Sequence, residues 1–211
     1  MKTKKILIIG NFNFGQSSFN GQTMKTRDYY HFISERYGKE NVEVIDTAGW
    51  KRHIVKVFIK LLRGCALSDN VILLLGVNSA KIIAPVVACL KTVFKYKILF
   101  PIVGGSIRYE YEKHKMLKKA LPKMDAIYFE TQMLRDYFLD LGYTNVHYIP
   151  VFTKRKAMKS LDMDKSLKSP LNLCTYSRVC KEKGISLAID SVKNVNKRAG
   201  SVICTLDVIG D

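Results

Sequence analysis

The chain has no apolar run long enough to cross a bilayer. Its longest, Ile82 to Leu90, is interrupted by Pro85 and closed by Lys91, well short of the ~20 residues a membrane helix needs. The run from Ile6 to Ile9 behind Met1-Lys2-Thr3-Lys4-Lys5 is also shorter than the ~7–15 residues of a secretory h-region; it reads as a first buried strand. Cys65, Cys89, Cys174, Cys180 and Cys204 are odd in number and form no CxxC pair, which disfavours a disulfide framework; buried, reduced thiols of a cytoplasmic protein are expected. No cluster of His, Asp and Cys suggests a metal. The G-x-G-x-x-G fingerprint of dinucleotide enzymes is missing, as are RRM, helix-turn-helix and zinc signatures of nucleic-acid readers. Internal repeats and low-complexity tracts are absent too.

Acid is scarce. Against 35 Lys and Arg stand 18 Asp and Glu, a net charge of +17, with a pI near 9.7. Such a balance points to polyanionic partners: nucleic acid, anionic lipid or phosphorylated substrates. The excess is spread along the chain, 23 bases against 12 acids in residues 1–150 and 12 against 6 in the rest. Hydrophobic content of 47% supports a core, and 211 residues suit one domain and part of another.

Short apolar runs alternate with longer amphipathic stretches. Strands are expected at Lys5–Ile9, Val42–Asp46, Val71–Leu75, Lys97–Phe100, Asp125–Phe129 and Val146–Ile149. Helices are expected at Gln22–Tyr37, Lys51–Arg63, Ala80–Phe94, Tyr111–Leu121 and Thr131–Leu141. The alternation implies an α/β fold, a Rossmann-like doubly wound parallel sheet with helices on both faces. Right-handed crossovers put every strand's C-terminal end, and so the site, on one edge. This domain is expected to cover residues 1–152. The polar stretch 153–170 reads as a linker, and residues 171–211 as the opening β-α-β unit of a second Rossmann-like domain.

Three places on the first domain draw attention. The first βα turn, Gly10 to Thr23, sits where helix N–H groups favour anions and hydroxyls. Gly10-x4-Gly15-Gln16-Ser17 approaches a P-loop, but Gln16 replaces the phosphate-binding lysine, which argues against an NTPase. After the fourth strand, Gly104-Gly105-Ser106 permits close approach of a ligand to the backbone. Glu130 follows the fifth strand at the same edge, with Thr131 as a helix N-cap. Separately, Arg52, Lys56, Lys60 and Arg63 recur at helical spacing beside Trp50, with apolar residues on the other face. Such a helix suits an anionic membrane surface; a plain sheet-packing helix with a solvated basic face is the competing reading. Lys113, Lys115, Lys118, Lys119 and Lys123 extend that basic surface.

The most informative segment is Ser177-Arg178-Val179-Cys180-Lys181-Glu182-Lys183-Gly184, between the apolar run Leu171 to Tyr176 and a helical pattern from Ile185. Arg offers a planar fork and Lys a point charge, which together suit a diphosphate at a helix N-terminus. An Arg five residues before a Lys-Gly pair resembles the donor-binding domain of GT-B retaining glycosyltransferases of family 4. The Asn20-Gly21-Gln22-Thr23 segment and the Gly104-Gly105 edge resemble the capsular and exopolysaccharide members. The resemblance covers nearly the whole chain. Ser177 stands where the family often has Gly, and none of His31, His53, His114 and His147 stands at the Gly104-Gly105 edge directly after strand four, where many relatives carry a histidine.

The resemblance implies transfer of a sugar from a nucleotide-sugar to a glycan or lipid-linked acceptor in cell-surface polysaccharide synthesis, at the inner face of the plasma membrane, with no metal, no cofactor and no nucleic-acid partner. It makes Arg178, Lys183 and Gly184 the donor diphosphate grip. Gly15, Gln16, Asn20, Gly21, Gln22 and Thr23 become the loop facing acceptor and donor. Gly104, Gly105, Ser106 and Glu130 become the sheet-edge site, and no catalytic side chain is assigned. The family's paired glutamates, seven residues apart, and its nucleobase pocket fall past residue 211, so the chain is expected to be an incomplete and inactive fragment. The rival reading is a basic, non-catalytic module for membrane surface or nucleic acid.

Overall fold

Six runs become six parallel strands; the four central ones are apolar on both sides and must be covered on both, while the two edge runs carry the exposed Glu43 and His147. In the computed structural model, which describes residues 5–14, 21–151 and 170–210, they are β1 (Ile6–Gly10), β2 (Val42–Asp46), β3 (Asn70–Leu74), β4 (Lys97–Ile102), β5 (Ala126–Phe129) and β6 (Val146–Tyr148). They form one sheet in the order β2-β1-β3-β4-β5-β6, every pair parallel. Between them run α1 (Gly21–Tyr37), α2 (Ile54–Leu67), α3 (Val77–Phe94), α4 (Ile107–Lys113), α5 (Lys115–Ala120) and α6 (Gln132–Asp140). The expected α/β, Rossmann-like architecture is present, with strand bounds within one or two residues of those read from the sequence.

The two faces are covered unequally. Ile6, Ile8, Ile72 and Leu74 pack under α1 through Ile33, with Phe12 among them. Leu7, Ile9, Ile45, Leu73, Ile98, Phe100, Ile127 and Phe129 pack under the helices of the other side, through Val57, Leu61, Ile83, Val87, Leu117, Leu134 and Phe138. This follows from topology. Only β1 to β2 steps one way across the sheet, and every later right-handed crossover steps the other way. Gly10 is needed where α1 crosses the end of β1. A Cβ there would stand 2.7 Å from Thr26 Cγ2 and 2.9 Å from the Leu74 carbonyl.

Some details depart from expectation. The helix expected at Tyr111–Leu121 is two, broken at His114 (φ −111°, ψ 102°). The bend lets both Ile107 and Leu117 reach full burial. Helix α3 begins at Val77, runs through Pro85, and is long and apolar enough to cross a membrane by length and composition. It buries Ala80, Ile83, Ala84, Val87 and Ala88 against the sheet side of this unit. Helix α2 begins at Ile54, so Trp50 and Arg52 lie before it in a separate 3-10 turn. The thiols divide: Cys65 and Cys204 are buried, Cys89 and Cys174 are exposed, and Cys180 is intermediate, all of them free. Cys89 lies just past the buried pair Val87 and Ala88, on the outward side of α3.

The chain separates into two compact units, Met1–Arg155 and Lys156–Asp211. The expected linker falls, but for Pro170, outside the described residues. The second unit holds β7 (Leu171–Tyr176), α7 (Ile185–Ala199) and β8 (Cys204–Ile209), with β7 and β8 paired in parallel from Leu171–Cys204 to Tyr176–Ile209. Asn196 ties the helix to the second strand: its Oδ1 accepts from the Ile203 and Cys204 amides, and its Nδ2 donates to the Cys204 carbonyl.

Candidate functional site at the strand C-terminal ends

The chain direction across the sheet reverses at β1, which opens a crevice beyond the C-terminal ends of β1 and β3, the usual ligand position in such sheets. A cavity of about 430 Å³ lies there, lined by Asn11, Gln22, Thr47 to Arg52 and Gly76 to Ser79. It is thus built by the loops after β1, β2 and β3. Asn11 Oδ1 and Gln22 Nε2 are buried and have no hydrogen-bond partner among the described residues. An unmet buried amide costs about 1–3 kcal/mol, so the pair favours a ligand with hydroxyl or amide groups. Gln22 lies tight over Gly76, where a Cβ would stand 2.5 Å from Gln22 Oε1. Gly76 opens α3 without a side-chain cap, so the Val77 and Asn78 amides have no acceptor within the helix. Lys51 and Arg52, both exposed, supply positive charge at the rim.

The loop after β1 is fixed at its first half. Asp46, at the end of β2, accepts from the amides of Phe12 (3.0 Å), Phe14 (3.3 Å) and Ala48 (2.9 Å). From α1, Arg27 Nε donates to the Phe12 carbonyl at 2.9 Å and Nη2 to that of Asn13 at 2.7 Å. Asn13 takes a left-handed φ of 50°.

A second cavity, about 260 Å³, lies beyond β4 and β5 and is lined by Gly104, Gly105, Arg108, Tyr109, Glu130, Thr131, Met133, Leu134 and Tyr137. Gly104 has a φ of +90°, and no atom lies within 4 Å of where a Cβ on it or on Gly105 would stand. The Arg108 guanidinium sits 4.3 Å from the Tyr137 ring centre. Glu130 receives Lys25 Nζ on both oxygens, at 2.6 and 2.7 Å, in a half-buried pair that links α1 to the end of β5. Burial first, then the Glu130 and Tyr128 charges, push the neighbouring Tyr29 phenol up to about 12. Thr131 caps α6 as expected, accepting from the Leu134 amide at 3.3 Å.

The residues singled out from sequence therefore separate. Gln22, Trp50 and Arg52 meet at the first cavity; Gly104, Gly105 and Glu130 meet at the second, with Ser106 exposed beside it. Thr23 is fully buried and lines neither. Gly21 is exposed at the start of α1. Gly15, Gln16 and Asn20 lie outside the described residues. Trp50 packs against the sheet core and lines the first cavity, so it does not share the exposed surface of Lys56, Lys60 and Arg63. Sequence reasoning missed Asn11, Asp46, Thr47, Asn78 and Ser79. Each directly follows or ends a strand or opens a helix, a position that could have flagged them.

In the second unit, Ser177 continues the ladder, its amide bonded to the Ile209 carbonyl at 3.1 Å. A 3-10 turn, Lys181–Lys183, then leads to Gly184, whose left-handed φ of 68° turns the chain into α7. Arg178 and Lys183 are both exposed in this strand-to-helix loop. The Glu182 carboxyl is held below its usual range by its own backbone amide, the Cys180 thiol and the Arg178 charge, in that order after allowing for burial.

The class these features define is a Rossmann-like α/β protein with two cavities at the strand C-terminal ends of its larger unit. No protein-family model and no curated protein matches the chain.

Proposed function

We propose that the chain belongs to a retaining glycosyltransferase of the GT-B type, family 4, which moves a sugar from a nucleotide-sugar to a glycan or lipid-linked acceptor in cell-surface polysaccharide synthesis. The observation that carries this reading is the loop between β7 and α7, with Arg178 and Lys183 exposed before a helix opened by Gly184. In such a transfer the bond from the sugar's anomeric carbon to the diphosphate oxygen breaks. A bond to an acceptor hydroxyl forms, and that hydroxyl gives up its proton. Negative charge grows on the departing phosphate, where a forked guanidinium and an ammonium stabilise it most. The amide-lined cavity after β1, β2 and β3 supports the same reading, since Asn11 and Gln22 offer an acceptor and a donor suited to sugar hydroxyls.

The test is titration of the chain with nucleoside diphosphates, followed by amide chemical shifts. Shifts centred on Ser177 to Leu187, with affinity falling at least roughly tenfold in Arg178→Ala and Lys183→Ala, are expected; that is about 1.4 kcal/mol, in keeping with one charge-assisted contact. The absence of such shifts, or stronger binding of an oligonucleotide spread over the basic surface, would overturn the reading in favour of a binding module.

A further inference from the structure

Gly105 is glycine where the fold does not ask for one. Its neighbour Gly104 has a left-handed φ of +90°, which favours glycine whatever the space, but Gly105 takes no positive φ. Nor is it short of room, since no atom lies within 4 Å of where its Cβ would stand. The missing side chain leaves the backbone open to approach from the cavity beyond β4 and β5. At about 260 Å³ that cavity falls below the ~300–1,000 Å³ of common small-molecule clefts, which suits one ring of a larger ligand and not a nucleotide.

The same cavity holds a cation on a firm support. Arg108 sits over the Tyr137 ring, 4.3 Å from its centre, and the Tyr137 hydroxyl donates to Glu112 Oε1 at 2.9 Å. That Glu112 oxygen stands 3.7 Å from Arg108 Nε, past hydrogen-bond reach, so this pair does not take up the terminal nitrogens. Glu130, the carboxylate in the lining, is neutralised by Lys25, which donates to both its oxygens. Tyr109, 66% exposed, adds an aromatic ring to the lining, onto which the C–H face of a sugar can pack.

We propose that this cavity is a specificity site for an acidic sugar of the substrate, and that Arg108 reads its carboxylate. The guanidinium fork matches a planar carboxylate with two parallel N–H···O bonds. A neutral sugar leaves that fork unmet. A phosphate dianion meets one cation there, with Glu112 already beside the same guanidinium. The sugar's role as part of a substrate rests on the glycosyltransferase reading; its binding does not, because these residues belong to the first unit and the loop between β7 and α7 to the second.

The test is titration of the full chain with methyl glucuronoside, methyl glucoside and glucose 6-phosphate, followed by amide shifts and the Arg108 Nε–H resonance. The glucuronoside should shift Gly104, Gly105 and Arg108 and bind at least roughly tenfold more tightly than the glucoside, as one bidentate charge-assisted contact gives. Glucose 6-phosphate should bind more weakly than the glucuronoside. Arg108→Gln should bring the glucuronoside down to the glucoside's affinity, and Arg108→Lys, which keeps the charge without the fork, should fall between the two. Gly105→Leu should block both glycosides and keep the melting temperature, since the added side chain meets open space. Equal affinity for glucuronoside and glucoside, tighter binding of glucose 6-phosphate, or no binding of any of the three overturns the proposal. So does an Arg108→Gln variant that binds as before, or a Gly105→Leu variant that binds as before or loses stability. The nucleoside diphosphate titration reads the other loop, so the glycosyltransferase reading and this one fail separately.

Discussion

The two units use the same local grammar, a parallel strand, a loop and a helix, with opposite results for burial. The larger closes a six-stranded sheet under helices on both sides and contains nearly all of the buried apolar residues described; among the described residues of the smaller, only Ile185 and Cys204 reach that state. There Leu173, Tyr176, Leu187, Ile189 and Ile209 are all exposed. One β-α-β turn cannot bury its own apolar surface, since two strands and a helix leave too much of it in water to offset the entropy of ordering the chain. Stability in this molecule therefore belongs to the first unit, and the loop between β7 and α7 rides on the weaker one.

Hydrogen exchange gives the sharpest test of that contrast. Amides of β7 and β8 should exchange on the order of 100-fold faster than those of β1, β3 and β4, because local opening is cheap where few contacts are buried. Equal protection in both sheets would show that the second unit draws stability from contacts unlike those described. A pair of truncations follows. Phe100→Ala, at a fully buried site, should cost about 3–5 kcal/mol in denaturant unfolding. Leu173→Ala, at a site 43% exposed, should cost less than about 1 kcal/mol.

A small, pH-dependent effect concerns Asp125, which accepts from Lys91 at 2.6 Å and from the Ile98 amide at 2.7 Å. Burial alone would raise its carboxyl, but the Lys91 bond and charge, with the Ile98 amide, outweigh burial and hold it below the usual range. A lowered folded value means the group stabilises the fold above its ordinary pKa of 3.8 and loses that contribution as pH falls through the folded value. Asp125→Asn should then cost about 1 kcal/mol at neutral pH, reduced from a buried pair's worth by solvent access. The cost should vanish in acid, as followed by melting temperature against pH. A constant cost at all pH values would mean that packing, not charge, is what the residue supplies.

How far the fold was legible depends on range. Runs such as Ile6–Ile9 and Val71–Leu75 announce strands because a central parallel strand must be apolar on both sides. Thr131 announces a helix start through a side chain that bonds three residues away. What escaped is non-local. The Lys25–Glu130 pair joins residues 105 apart, and nothing in either neighbourhood signals the other. The packing face of α2 escaped for a different reason. Its apolar residues cover more than one face, and the stripe that packs is the one containing Gly64 and Cys65, the small residues that permit close approach, while the bulkier Ile54, Phe58 and Ile59 stay outside. Periodicity counts apolar positions equally and cannot make that choice. The candidate site was legible at Gln22, Gly104, Gly105 and Glu130, which sit beside strand ends. It was not legible at Asp46, which the sequence presents as the last residue of a strand.

That aspartate bears on what a ligand must do on arrival. With Arg27, it pins Phe12, Asn13 and Phe14 from two elements of the folded unit. Fixing a residue's backbone costs about 1–2 kcal/mol of entropy. For these three residues that cost is met at folding, so it does not weaken later association. The first half of the loop is a preset surface, and whatever binds beside Asn11 begins with that part of its recognition already arranged.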